Sequence, residues 1–266
     1  MGSRDSSRTR VAPVFEELVR RDPTGATWLP KLLRLGSRAE DVRIPSDLGT
    51  LRTTHPHWWG NNERSLKPPV ALLEWLVLNI TAGAVAASGD IGMVLDKRRA
   101  LAAGDPATVA EALAAIRQGV SGRRWHNLEG ESRPDAYLET ERIVLVVEGK
   151  RTERSCTSKT KWMPVRSQLI RHMDAATDIS GDRTVLGLLI VEGEAGGSAL
   201  EPSPYWLNQS AAQYTDHMLR ASLPHRSAAD RTRIADGVLG VTTWQGVCRT
   251  FALPWPPVPD EDHATG

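Results

Sequence analysis

Apolar residues are most continuous in the middle of the chain. Ile143-Val144-Leu145-Val146-Val147 is an uninterrupted, mostly β-branched run, the pattern of a strand buried on both faces. The stretch from Arg183 to Val191, ending VLGLLIV, predicts a second such strand. Val238 to Thr243 predicts a last one, at a sheet edge. Ala136 to Glu139 predicts the hairpin partner of the first run, with Thr140-Glu141 as the turn, and Arg123 to Leu128 a short strand before it.

Helical spacing flanks these strands. From Val11 to Leu35 the apolar positions Val14, Leu18, Trp28, Leu32 and Leu33 recur helically. Pro69 to Ala87 predicts one long buried helix carrying Glu74. Asp105 suits the N-cap of the next helix, Pro106 its first turn and Gly119 its end. These helices precede the sheet and are expected to cover it. Tyr205 to Leu223 predicts another helix. Residues 1–10 are expected to be disordered, 36–68 loop-rich, and the tail LPWPPVPDEDHATG extended or disordered. The fold class is α/β.

Charge enters at the end of the central run. Glu148 and Lys150 close it, and strand alternation points both the same way. With a turn at Thr140-Glu141, Asp135 lies opposite Val146, and Glu148 stands two residues further along the same face. Such diagonal neighbours are about 7–8 Å apart, close enough to share one ion. The geometry requires an even loop, because an odd one turns Asp135 to the other face. Two carboxylates about 4 Å apart repel by roughly 4 kcal/mol at an effective dielectric of about 20. A divalent cation removes that penalty. Magnesium prefers one or two carboxylates, keeps several waters and leaves room for a phosphate. The Lys150 ammonium beside them can orient or deprotonate a water, or hold the phosphate.

Pro134-Asp135 followed by Glu148-Gly149-Lys150 resembles the motif of the PD-(D/E)XK nuclease superfamily, over residues 65–195. The resemblance implies a restriction-endonuclease-like three-layer α/β sandwich with a mixed central sheet, preceded by a helical N-terminal region. The corresponding division is an extension at 1–64, a nuclease-like core at 65–225, and a C-terminal strand and tail at 226–266. Asp135 and Glu148 become metal ligands, with the Gly149 carbonyl as a further one. Lys150 becomes catalytic, Pro164 to His172 the helix that follows the motif, and Gln168 the glutamine that faces the site from it. Glu74 is the candidate for the glutamate of an earlier helix that completes the metal site, with Glu129 or Glu131 as substitutes. A solvent-edge position for Glu74 is an equal alternative. Mg2+ is the implied cofactor, with Mn2+ able to replace it. The implied activity is phosphodiester hydrolysis, most readily in DNA, in bacterial defence or repair. A homodimer is an open alternative, although no coiled-coil heptad specifies one.

From Lys150 to His172 the cations Lys150, Arg151, Arg154, Lys159, Lys161, Arg166 and Arg171 are opposed only by Glu153. Beside a metal site, such a segment is a natural bed for a phosphate backbone; the plain alternative is a solvated loop. Trp162 within it either stacks on a base or anchors the loop. His55-Pro56-His57-Trp58-Trp59 lacks a third ligand for a metal. It reads as a tryptophan-anchored loop or a base-stacking platform.

Composition adds limits. A formal net charge of +1 means that no global field advertises nucleic acid. Cys156 and Cys248 form neither a disulfide framework nor a zinc motif, and no secretory apolar stretch opens the sequence. Pro69 to Ala87 is interrupted by Glu74, Asn79 and Thr81, so no membrane span is expected. A reducing, cytoplasmic setting follows. Two other readings stand beside the nuclease. VVEGK is similar to the Toprim family, but the only Asp-x-Asp, at 260–262, lies in the tail. A non-catalytic nucleic-acid-binding or interaction module on the same fold is the alternative from another class.

Overall fold

The computed structural model describes residues 7–52, 57–58, 63–120, 124–157, 160–194 and 200–257, with the backbone alone at 57–58. A π-helical turn at Ser7–Val11 leads into α1 (Ala12–Arg21) and α2 (Leu29–Leu33), followed by β1 (His57–Trp58). Next come α3 (Val70–Asn79), α4 (Ala82–Ala87), α5 (Gly92–Ala102) and α6 (Pro106–Arg117). Then follow β2 (Ala136–Glu139), β3 (Ile143–Lys150), α7 (Gln168–Thr177) and β4 (Thr184–Val191). The chain continues through α8 (Pro204–Ala212), α9 (Asp216–Ser222), α10 (Ala228–Asp236), β5 (Val238–Thr243) and α11 (Trp244–Thr250).

The fold is α/β, with a mixed sheet ordered β1-β2-β3-β4-β5. β1, β2 and β3 are antiparallel neighbours, whereas β3, β4 and β5 run parallel. Every residue of β3 is buried, so each face of the sheet needs a cover. Ile143, Leu145 and Val147 point to one face, against Val11, Val14, Phe15, Leu18, Leu32 and Trp244. Val144 and Val146 point to the other, against Leu169, Ile170, Met173, Trp206 and Leu219. The covers are therefore α1, α2 and α11 on one side and α7, α8 and α9 on the other.

The helices α3, α5 and α6 do not cover the sheet as expected. They close on each other around Leu72, Leu76, Leu101, Ala112 and Ile116, with Leu128 and Met163. The long helix predicted from Pro69 to Ala87 is two. Thr81 is extended and its Oγ1 accepts from Ala84 N, so it caps α4 and ends any continuation of α3. The helix expected over 205–223 breaks similarly at Thr215, whose hydroxyl accepts from Met218 N. Residues 124–128 contain a turn in place of the expected strand. Residues 7–10, expected to be disordered, form the π-helical turn. Asp105 caps α6 as expected, accepting from Thr108 N at 2.8 Å. Among the described residues, no helix is long and apolar enough to cross a membrane.

The parallel edge is guarded. Ser37 N and Arg38 N donate to the carbonyls of Val241 and Leu239 on β5, so a loop from the N-terminal region covers that edge. Gly36 makes the approach possible, because a Cβ there would collide with the Leu239 carbonyl. Gly36→Ala is therefore expected to destabilise the protein by about 1–3 kcal/mol. Gly83→Ala, in open space on α4, is expected to stabilise it by about 0.5–1 kcal/mol. Denaturant unfolding of both variants checks the contrast, and equal effects would show that the loop is not docked on β5.

Candidate functional site

The hairpin sets the geometry. Ala136 pairs with Val147 and Glu139 with Val144. The turn is Glu141-Arg142, one residue later than expected. Buried Thr140 is the reason: its Oγ1 accepts from the N–H groups of Arg142 and Ile143, both at 3.0 Å. The register consequently moves by two residues. An even shift keeps the strand side chains on their faces, and it brings Asp135 level with Glu148 where the sequence reading set it against Val146. The Asp135 carboxyl, however, turns to Gly149 N and Ser7, away from the α7 side that holds Glu148.

Glu148 and Lys150 lie on the face covered by α7. Ser167 caps this helix, accepting from Ile170 N, so that Gln168 is its first residue. Lys150 Nζ donates to Glu148 Oε1 at 2.7 Å and to Gln168 Oε1 at 2.8 Å. His172 Nε2 lies 3.1 Å from Glu148 Oε2. Burial alone would push the Glu148 carboxyl up; the His172 hydrogen bond and the Lys150 charge outweigh it and hold it below the usual range. Burial opposes the charge on Lys150, but Glu148 and then Asp135 raise its pKa. Lys150 is thus a fixed ammonium in this arrangement, not a base.

Asp135 is held from the other side. Its Oδ2 accepts from Gly149 N at 2.7 Å and its Oδ1 from Ser7 Oγ at 2.5 Å. The Gly149 carbonyl leaves the strand on the same edge as its N–H, toward Asp135. Gly149 has no room for a side chain, since a Cβ would stand 2.9 Å from Trp244 and 3.1 Å from Val11. Burial, and then the Glu148 charge, push the Asp135 carboxyl up to about 8 against those two hydrogen bonds. The two carboxyls are electrostatically coupled, yet different layers hold them.

The Ser7–Val11 turn lies across the strand ends. Arg10 Nε and Nη2 grip both oxygens of Glu192, at 3.0 and 3.1 Å. Arg151 Nη1 donates to Thr9 Oγ1 at 3.3 Å. On the α7 side, Glu148 is 2% and Lys150 6% exposed.

Other expected residues lie elsewhere. Glu74 is ion-paired with Arg117 at 2.6 Å in the separate helical cluster, and the structure does not bring it to Asp135 or Glu148. Glu129 is buried against Arg166 and Arg171, and Glu131 accepts from Ser65 Oγ. Arg166, expected on the nucleic-acid surface, is wholly buried between Glu129 and Asp174. Its charge neutralises buried carboxylates and is closed to a phosphate. Arg171 also turns inward, to Glu129 and the carbonyls of Gly130 and Glu131. Arg151 is mostly buried beside Glu192. Arg154 is exposed, and Lys161 is half-exposed and paired with Asp90 at 3.0 Å. Trp162 sits under the Arg98 guanidinium and packs on the α3–α6 cluster, as an anchor. Lys159 and His55 fall outside the described residues, and nothing is described of the His57 side chain.

The sequence reading missed His172 and Ser7. The signal for His172 is its i+4 spacing from Gln168, which puts both on one helix face. Nothing in the sequence points to Ser7. The donors available to a metal are two carboxylates and one backbone carbonyl, a set that suits Mg2+ with waters. Burial is the larger cause of the raised Asp135 pKa and the Glu148 charge the smaller, and a cation would offset the second. Among the described residues, no group of three or more His, Cys, Asp or Glu is arranged to hold a metal. Compared with protein-family models, curated proteins and solved structures, the chain matches none.

The Asp135 shift has a definite sign. From its ordinary value of 3.8 up to about 8, folded Asp135 keeps a proton that the unfolded chain has lost. Stability therefore falls as pH rises through that window, by at most about 1.4 kcal/mol per pH unit. In chelator, wild-type melting temperature is expected to drop between pH 5 and 8 relative to Asp135→Asn. A gap between the two that stays constant with pH would refute the shift.

Proposed function

We propose that this protein is a metal-dependent nuclease on a restriction-endonuclease-like sandwich, hydrolysing phosphodiester bonds, in DNA by preference, inside the cell. One observation carries the reading. Asp135, just ahead of β2, accepts from Gly149 N between Glu148 and Lys150 of β3, the Lys150 ammonium is bonded to Glu148, and Gln168 of the next helix is bonded to that ammonium. The resemblance of these residues to the PD-(D/E)XK motif adds to it. Bacterial defence or DNA repair is the setting that the resemblance suggests.

Asp135, Glu148 and the Gly149 carbonyl would hold Mg2+ or Mn2+. When bound, such an ion acidifies a water and stabilises charge on phosphoryl oxygens. Lys150, already protonated, donates to a phosphate oxygen or to the attacking water and keeps it in line. Gln168 fixes the Lys150 ammonium through its carbonyl oxygen. Arg154, Lys159 and Lys161 are the candidate contacts to the neighbouring backbone.

A second reading has its own support. Both Glu148 oxygens are satisfied internally, and Ser7–Val11 closes the site. The charged cluster would then be structural, within a binding or interaction module. Cleavage separates the two. Purified protein incubated with linear, circular, single-stranded and RNA substrates is expected to cut DNA with Mg2+ and not with chelator. Asp135→Ala and Lys150→Ala are expected to lose cutting by about 100-fold or more. Wild-type cutting by either variant would leave the structural reading standing.

On the nuclease reading a polymer reaches Asp135 only if the Ser7 contact opens. Deleting residues 1–9, which leaves Arg10 and Val11 in place, is expected to raise the cleavage rate. An unchanged or lower rate would show that the turn completes the site.

A further inference from the structure

We infer that His172 is a positioning residue that holds the metal-binding carboxylate of Glu148 in place, an inference that rests on the two-carboxylate reading of the site. His172 is 1% exposed. It lies on α7 beside Leu169, Ile170, Met173 and Ala176, all buried in the same apolar cluster. Its Nδ1 is buried without a hydrogen-bond partner. A leucine would fill such a place with no orphaned polar atom. The imidazole contributes there through Nε2, 3.1 Å from Glu148 Oε2. An ionised carboxylate only accepts, so Nε2 carries the hydrogen and donates.

The spacing supports a dedicated contact. Four residues of helix rise about 6 Å, and two residues of strand about 6.6 Å. Gln168 and His172 therefore match Lys150 and Glu148 rung for rung, with α7 antiparallel to β3. Lys150 holds one Glu148 oxygen and His172 the other. The carboxylate plane is fixed, and each oxygen keeps lone-pair capacity for a further ligand. Without His172, Oε2 loses its donor and the carboxylate is free to turn about its last bond. Hydrogen-bond partners of this kind alter metal affinity by roughly 10- to 100-fold.

The test is Mn2+ binding to the full-length protein by calorimetry, with Mg2+-dependent cleavage measured in parallel. His172→Leu removes the donor and keeps the bulk. His172→Gln places an amide N–H near the position of Nε2. Leucine is expected to weaken Mn2+ binding by roughly 10- to 100-fold and to raise the Mg2+ needed for cleavage. Glutamine is expected to restore most of the affinity. Should the leucine variant not fold, His172→Asn, too short to reach Glu148, is read in its place. Wild-type Mn2+ affinity in the leucine or asparagine variant overturns the inference, as does a glutamine variant as weak as leucine. A wild type that binds no Mn2+ overturns it together with the metal site. Wild-type Mn2+ binding without cleavage, weakened by leucine, supports the positioning role and counts against the nuclease alone.

Discussion

A buried carboxylate governs how this molecule packs. Glu148 sits at the end of a strand with almost no access to water. Removing such a charge from water costs several kcal/mol unless it is paired and hydrogen-bonded. Both conditions are met, one oxygen by Lys150 two residues on and the other by His172 on α7. These contacts dictate where α7 lies, along β3 and antiparallel to it. The apolar residues beside the polar rungs, Leu169, Ile170 and Met173, then meet Val144 and Val146. Gly187 on β4 lets Met173 approach, since a Cβ there would collide with its sulfur. Helix docking and charge satisfaction are the same event.

A second buried acid follows the same rule deeper in that layer. Asp174 accepts from Arg166, from Arg226 at 2.7 Å, and lies 3.2 Å from His225 Nε2. Burial alone would raise its pKa, but His225 and the arginines hold it down. Arg166 also reaches Glu129, ahead of β2, so this network ties α7 to both flanking segments. Removing one partner of such a set strands a charge in the interior. The α7 layer is therefore held to the sheet by oriented polar contacts as well as by apolar burial.

The sheet was legible in the sequence because its strands are long apolar runs. β2 and β5 fall where the pattern predicts, and β4 within one residue. The pairing of Asp135 with Glu148 was legible only to within an even shift, since the Thr140 hydroxyl bonds that place the turn have no periodic signature. Thr81 and Thr215 cap helices in the middle of helical patterns, where propensity alone reads straight through them. The separate α3–α6 cluster was hidden for another reason. An apolar stripe shows that a helix buries a face and is silent on what it buries it against. The cation run from Lys150 to His172 misled similarly. The anions that neutralise Arg151, Arg166 and Arg171 are Glu192, Asp174 and Glu129, and most lie far away in sequence.

That redistribution of charge changes what binding can rest on. With those three arginines turned inward, Lys150, Arg154 and Lys161 are the cations of the run left to consider among the described residues, and Lys161 already has Asp90. Each neutralised duplex phosphate contributes about 0.9 to the salt slope, so a few contacts give weak, mildly salt-dependent association. A net charge of +1 adds no long-range attraction. On the proposed nuclease reading, this run would add little backbone affinity, and the strand-end centre itself would carry most of the binding. There the two acids are fixed from opposite layers, Glu148 by α7 and Asp135 by Gly149 and the Ser7–Val11 turn. Their relative placement then depends on both layers being seated on β3 at once, and loosening either one separates the pair even with every site residue intact.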